Sequence, residues 1–289
     1  DVFILSGAED LVPVLRRNAQ GALEIYEDPI DGYLVRRYRP RIEGLFARIE
    51  RWSKVGKPED VHWRSISKDN ILTLYGLAEE SRVFDPLNRT RIFSWLICET
   101  RDDKGNAVLY RYKAENGLGV DLGQACEGNR GATGDLGRTA NRYLKRIYYG
   151  NRSSLLDSAG LRPRFLTQGQ IDKAGWMFEV VFDYDDHDTA DPTPTDDQET
   201  IQSETLPGVL KYPWKARQDP FSTYRAGFEV RTTRLCQRVL MFHHFPDEDG
   251  VGADCLVRST DFNYSYEEKP SDARNPIYSF LHEVTQTSY

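Results

Sequence analysis

The amino-acid sequence predicts a mainly β protein: antiparallel meandering hairpins forming a large curved, shell-like sheet, with long loops and little helix. Three observations lead there. Apolar and aromatic residues alternate with polar ones in one short run after another, the period of a half-buried strand. No long stretch keeps a 3.6-residue apolar period, so long amphipathic helices are not expected. The connectors are short and rich in Asp, Asn, Ser and Gly, the chemistry of tight turns between antiparallel neighbours. A parallel sheet would need helical crossovers, and the pattern supplies none.

In chain order the expected strands begin with YLVRRY (33–38) and LFARIERW (45–52). VHWRSI (61–66) and ILTLY (71–75) follow, joined by the turn SKDN (67–70). The stretch RIFSWLICETRDDKGNAVLYRYK (91–113) reads as two strands around Asp102–Asn106. There Asp side chains can bond the turn backbone, and Gly105 can take a positive φ. RYLKRIYY (142–149) precedes WMFEVVFDY (176–184). In the latter, alternation puts Trp176, Phe178, Val180, Phe182 and Tyr184 on one face, expected to meet a core, and Met177, Glu179, Val181 and Asp183 on the other. FEVRTT (228–233), RLCQRVLMFHHF (234–245), CLVRSTDFNYSY (255–266) and YSFLHEVTQTSY (278–289) complete about a dozen strands. Residues 1–289 are read as one β-rich region. It is interrupted by a glycine-rich loop over 113–142 and an acidic, proline-rich insertion loop over 186–224.

Composition narrows the function classes. At 39% hydrophobic and 12% aromatic, the 289 residues hold enough apolar material for a packed core. The net charge of −7 gives no whole-chain attraction to phosphate backbones, so no nucleic-acid partner is expected, and RRYRPR (36–41) is read as a solvated cluster. No run approaches the roughly 20 apolar residues of a helical membrane span, and no direct membrane insertion is expected. The start lacks both an initiator Met and the charged lead of a signal peptide, and both ends are abrupt, so the chain is expected to be an excerpt of a longer protein. Cys98, Cys126, Cys236 and Cys255 form no CxxC pair and are read as free thiols.

The reactive motifs are weak. HEVTQ (282–286) approaches the zinc-protease HExxH, but Gln286 replaces the second His and the segment alternates like a strand. His243 and His244 are adjacent, so on a strand they point to opposite faces, one buried and one exposed. The acidic clusters at 183–188 and 246–254 offer oxygen ligands of the kind Ca²⁺ takes, but neither has the EF-hand register. GKP (56–58) lacks a P-loop's remaining residues, no GxSxG occurs, and the glycines of 113–142 do not fall as GxGxxG. No catalytic, cofactor-binding or metal-binding residue is nominated, and no cofactor is implied. Trp52, Trp63, Trp95, Trp176 and Trp214 are read chiefly as packing residues. Trp214 in KYPWKARQDPFSTY (211–224) is the exception, a possible docking point on a loop.

Several long phrases carry a family resemblance: LSGAEDLVPVL (5–15), VHWRSISKDNILTLYG, RVFDPLNRTRIFSWLICETRDDKGNAVLYRYKAENG, RTANRYLKRIYYGNR, GWMFEVVFDY, YRAGFEVRTTRLCQRVLMFHHFP and CLVRSTDFNYSYEEKPSDARNP. In order and over nearly the whole chain, they resemble the SpvB-type region at the start of bacterial Tc insecticidal toxin-complex B components and in the plasmid virulence protein SpvB. The resemblance implies a secreted, non-catalytic building part. In B components the region contributes to a β-sheet shell that joins an Rhs-type C component and encloses a cytotoxic segment, and a later propeller docks on the A-type translocation channel. In the virulence protein a similar region precedes an actin-modifying ADP-ribosyltransferase domain. Such transferases use an ExE pair, and none occurs in this sequence. An independent sugar- or calcium-binding β module is the remaining alternative.

Overall fold

The computed structural model describes residues 2–6, 10–132, 135–198, 211–265 and 278–289. Fourteen of its strands belong to one antiparallel sheet, in which almost every strand lies beside its predecessor along the chain. This is the meander expected from the alternation. Three separate two-stranded hairpins accompany it, with a five-residue α-helix over Gln168–Asp172. By contacts the chain divides into two compact units: residues 1–84, 88–109 and 153–174, and residues 85–87, 110–152 and 175–289.

In the first unit, strands Tyr33–Pro40, Arg48–Lys54, Val61–Ile66, Leu72–Tyr75 and Ile97–Arg101 pair in succession. Register aligns Val35, Trp52 and His62 across one face, and alternation turns Trp63 to the other. There Trp63 packs with Leu11, Tyr38 and Ile49, joined by Phe3 and Trp95. Both expected turns form. Ser67 Oγ accepts from the Asp69 and Ile71 amides, and Asn70 takes the left-handed conformation. Asp102 Oδ1 accepts from the Lys104 and Asn106 amides, both at 2.9 Å, and Gly105 sits at φ +92°.

One run reads differently. Residues 91–101 are two strands, because the chain breaks at Leu96. The Leu96 amide donates to Ser81 O and its carbonyl accepts from the Gly76 amide, each at 2.8 Å. Asn88–Trp95 then pairs with Arg82–Asp85 in a separate hairpin, while Ile97–Arg101 joins the large sheet. Alternation cannot register this branch, since both halves are apolar strands.

In the second unit, Arg142–Asn151, Trp176–Asp183, Arg238–Phe245, Gly252–Tyr264 and Leu281–Ser288 pair successively. The face of WMFEVVFDY expected to meet a core does so at Phe182 and buried Tyr184, which pack with Tyr143 and Trp214, but the opposite face is covered as well. Glu179, Val181 and Asp183 are the buried set, whereas Trp176, Phe178, Val180 and Phe182 are half-buried. Val181 packs with Leu240 and Phe242 from the next strand. The carboxylates can join this face because basic side chains of neighbouring strands meet them there. RLCQ (234–237) lies outside the strand, which begins at Arg238. Residue 266, expected at the end of a strand, lies outside the described residues, as do 199–210 of the acidic insertion.

The glycine-rich segment is anchored. Its two 3₁₀ turns, Ala125–Glu127 and Leu136–Arg138, bring buried Glu127 to Arg138 (2.6 Å), Arg130 (3.1 Å) and Arg231 (2.6 Å). From Glu115 to Asn141 its described residues carry no strand.

A candidate functional site of buried charge

A dense group of ionisable side chains lies in the second unit, where Trp176–Asp183 runs into the acidic insertion. Asp183 ends the strand, and its Oδ1 accepts from the Asp186 amide at 2.9 Å, folding the chain back. This turn places Asp186 and His187 under the sheet, both buried. Strand Arg142–Asn151 contributes Lys145, whose Nζ lies 2.7 Å from Asp186 Oδ1; Lys113 Nζ lies 2.8 Å from Oδ2. Arg238 donates to Asp183 Oδ2 at 2.7 Å. His187 Nδ1 lies 3.5 Å from Asp183 Oδ1 and 3.3 Å from Asp186 Oδ1. Arg146 joins Glu179 at 2.7 Å and also pairs with Asp197 from the insertion. His244 Nε2 meets Glu179 Oε2 at 3.1 Å.

Each group is tuned by this packing. Burial by itself raises the Asp186 carboxyl, but His187, Lys145 and Lys113 outweigh it and hold the group well below the usual carboxylate range. Burial likewise opposes, and His187 and Arg238 overcome, in lowering Asp183; His244 and Arg146 do the same for Glu179. Burial lowers the Lys145 ammonium against the pull of Asp186 and Asp197. His187 is raised despite its burial, by Asp183 and Asp186, and His244 is raised chiefly by Glu179. Nearby, burial pushes the Tyr143 phenol and the Cys236 thiol up to about 12, so neither supplies an anion near neutral pH.

Asp183, Asp186 and His187 place ligand-type atoms within 4.8 Å of one another. The four carboxylates of Asp183, Asp186, Asp197 and Glu179 nevertheless face four basic side chains, Lys113, Lys145, Arg146 and Arg238. Both oxygens of Asp186 already receive an ammonium. A divalent ion here would have to displace those lysines, so the arrangement is chemically a closed ion-pair network that ties the insertion to the sheet.

The other sequence candidates are dispersed. HEVTQ lies on the exposed strand Leu281–Ser288, not on the helix that paired ligands require. His243 and His244 do point apart. His243 packs against Phe178 and Phe245, and both histidines are half-buried, so the expected buried and exposed pair is not what forms. Within 246–254, Asp254 reaches His244 at 3.1 Å. RRYRPR is paired rather than merely solvated: Arg36 meets Glu27 at 2.6 Å, and Arg37 lies 4.4 Å over the Tyr26 ring. None of the four cysteines forms a disulfide.

Trp214 is the largest correction. It is 2% exposed, packs with Tyr143 and Tyr184, and donates Nε1 to Asn116 Oδ1 at 2.9 Å. Arg234 and Lys113 lie over its ring at 4.2 and 4.4 Å, so the neighbouring charges serve burial, not docking. Asp183, Asp186 and His187 lie within the acidic cluster 183–188 that the sequence offered, whereas Lys113 and Lys145 were not singled out. The available signal was two cations, Lys145 and Arg146, in the middle of an apolar strand.

The family described as SpvB, Salmonella virulence plasmid 65kDa B protein, matches residues 1–245. The chain is 37% identical over 238 residues to the mono(ADP-ribosyl)transferase SpvB of Salmonella typhimurium, covering 82% of this chain but 36% of that protein. The structure of the N-terminal domain of the effector SpvB from Salmonella typhimurium strain LT2 superposes with a TM-score of 0.72 at 32% identity, over 97% of this chain and 79% of that one. The crystal structure of TcdB2-TccC3 matches with a TM-score of 0.70 at 28% identity, over 99% of this chain and 12% of that one. The Photorhabdus luminescens Tc holotoxin pore gives 0.65 at 27%, over 96% and 12%. The meander, its hairpin turns and the match over 1–245 together place the chain in the SpvB family.

Proposed function

We propose that the chain is a non-catalytic structural segment of a secreted toxin-complex B component, contributing to the β-sheet shell that, with an Rhs-type C component, encloses and delivers a cytotoxic polypeptide. The supporting observation is that a sheet of successive hairpins is shared over 99% of the chain with TcdB2-TccC3. The buried charges are consumed in pairing one another, as a wall requires and as an acid–base site does not. Co-expression of the full-length protein with an Rhs-type C component is expected to yield a stable complex on size exclusion. Separate elution of the two would remove this reading.

The higher identity to SpvB favours a second reading, the leading portion of an SpvB-like effector whose transferase domain lies elsewhere. Sequencing the full-length gene separates the two: a transferase domain with ExE supports the second, and propeller or Rhs-like segments the first. On either reading the segment itself transfers no ADP-ribose. Incubation with labelled NAD and actin is expected to leave both unmodified.

A further inference from the structure

Within the first unit, residues 155–166 cross one face of the sheet without regular secondary structure. The sheet grips them at successive points. The Leu155 amide donates to Gly105 O at 3.0 Å, and the Leu155 side chain is buried. Arg162 donates to Asn70 O at 2.5 Å and to Asn70 Oδ1 at 3.0 Å. Arg101 donates to Pro163 O at 2.8 Å and to Arg164 O at 3.2 Å, and Arg64 donates to the same Arg164 carbonyl. Phe165 then closes over Tyr33, Trp52 and His62, with ring centroids 5.9, 6.1 and 5.7 Å away.

His62 lies beneath this cover with no exposed surface, and neither ring nitrogen has a hydrogen-bond partner among the described residues. Buried polar groups are nearly always paired, so this one needs a reason. The charges around it come from several elements. On its own strand Arg64 lies 4.4 Å over the Trp52 ring and 5.0 Å over Phe165. Arg82, on the Arg82–Asp85 strand, donates to Asp60 Oδ1 at 3.1 Å. On Arg48–Lys54, the Glu50 carboxylate is engaged by Trp52 Nε1 and Arg48, and Lys54 lies over Tyr33. Glu99 and Arg101 pair with each other, and in the crossing segment Arg164 pairs with Asp31. Tyr33 faces His62 from its strand; Leu72 and Leu74 carry no charge. No carboxylate among the described residues forms an ion pair with the imidazole.

We propose that residues 155–166 form a strap released by acid, with His62 as the proton acceptor that drives it off the sheet. A proton on the covered ring would create an imidazolium flanked by guanidinium groups and lacking a counter-ion, and lifting Phe165 to admit water relieves it. Burial, then Arg64 and Arg82, push the covered imidazole down to about 3. In the lifted state it returns to about 6.5. The sign follows by linkage: the closed state is favoured in full above pH 6.5 and loses about tenfold in its closing equilibrium for each pH unit below that, down to about pH 3. This device does not depend on whether the chain serves a shell or an effector.

Hydrogen-exchange mass spectrometry on the full-length protein, corrected for intrinsic rates, tests it. The opening constant of peptides spanning 155–166 is expected to rise about 50-fold from pH 6.5 to 4.5. In His62→Phe, which keeps an aromatic ring against Trp52 and Phe165, it should stay flat. An equal rise in that variant, or no rise in the unmodified protein, overturns the proposal. Imidazole Cε1–H exchange on the unmodified protein gives an independent reading should His62→Phe not fold: His62 titrating near 6.5 while the strap remains protected would equally refute it.

Discussion

Gly105 and Trp214 show how much single positions constrain this chain. Gly105 combines φ +92° with crowding: a Cβ there would lie 2.1 Å from Ser154 Oγ and 3.1 Å from the Leu155 amide nitrogen. Gly105→Ala is expected to cost about 1–3 kcal/mol, seen as a lower urea midpoint, and an unchanged midpoint would contradict the close approach. Trp214→Ala is expected to cost about 3–5 kcal/mol, because it opens a cavity and uncovers the buried Arg234–Glu115 pair. A surface docking residue would leave the denaturation curve in place. The turn at Gly105 was legible because turn chemistry is local. The burial of Trp214 was not, since KYPWKARQ reads as polar until Tyr143, Tyr184 and Asn116 arrive from distant positions.

At the scale of elements, the strand Trp176–Asp183 shows that alternation identifies two faces without saying that both are covered. Glu179 and Asp183 are buried because Arg146, Arg238 and His244 come from the strands on either side. The strand Leu281–Ser288 raises a different issue. Every residue in it is exposed, including Leu281 and Val284, and it pairs on one side with Gly252–Tyr264. Among the described residues its other edge has no strand partner. Such an edge templates association. Residues 1–289 expressed alone are expected to self-associate, and Val284→Lys to reduce this in light scattering. A monodisperse monomer before substitution would defeat the argument.

At the scale of the molecule, the two units carry opposite acid responses. In the second, Asp183, Asp186 and Glu179 are lowered, so their stabilisation is present above about pH 4 and is lost as pH falls through their folded values. His187 and His244 are raised, so theirs is present below about pH 6.5 and is lost as pH rises past their folded values. This unit is therefore expected to be most stable between about pH 4.5 and 6.5. In the first unit His62 is lowered to about 3, so stability declines as pH falls from about 6.5. Unit-resolved hydrogen exchange at pH 7.5 and 5.5 should show protection gained in Trp176–Asp183 and lost in Val61–Ile66. Parallel changes in both would refute the opposition.

The sequence by itself determined the mainly β class, most of the longer strands, their antiparallel order and the hairpin turns, because periodicity and turn chemistry act between residues a few positions apart. Its long phrases also indicated the family. Only the tertiary structure decided that the run through Leu96 splits between two sheets, that an acidic strand face turns inward, and that Trp214 and His62 are covered. Each of these depends on which distant side chain supplies the counter-charge, the backbone partner or the lid, and long-range pairing leaves no local period to read.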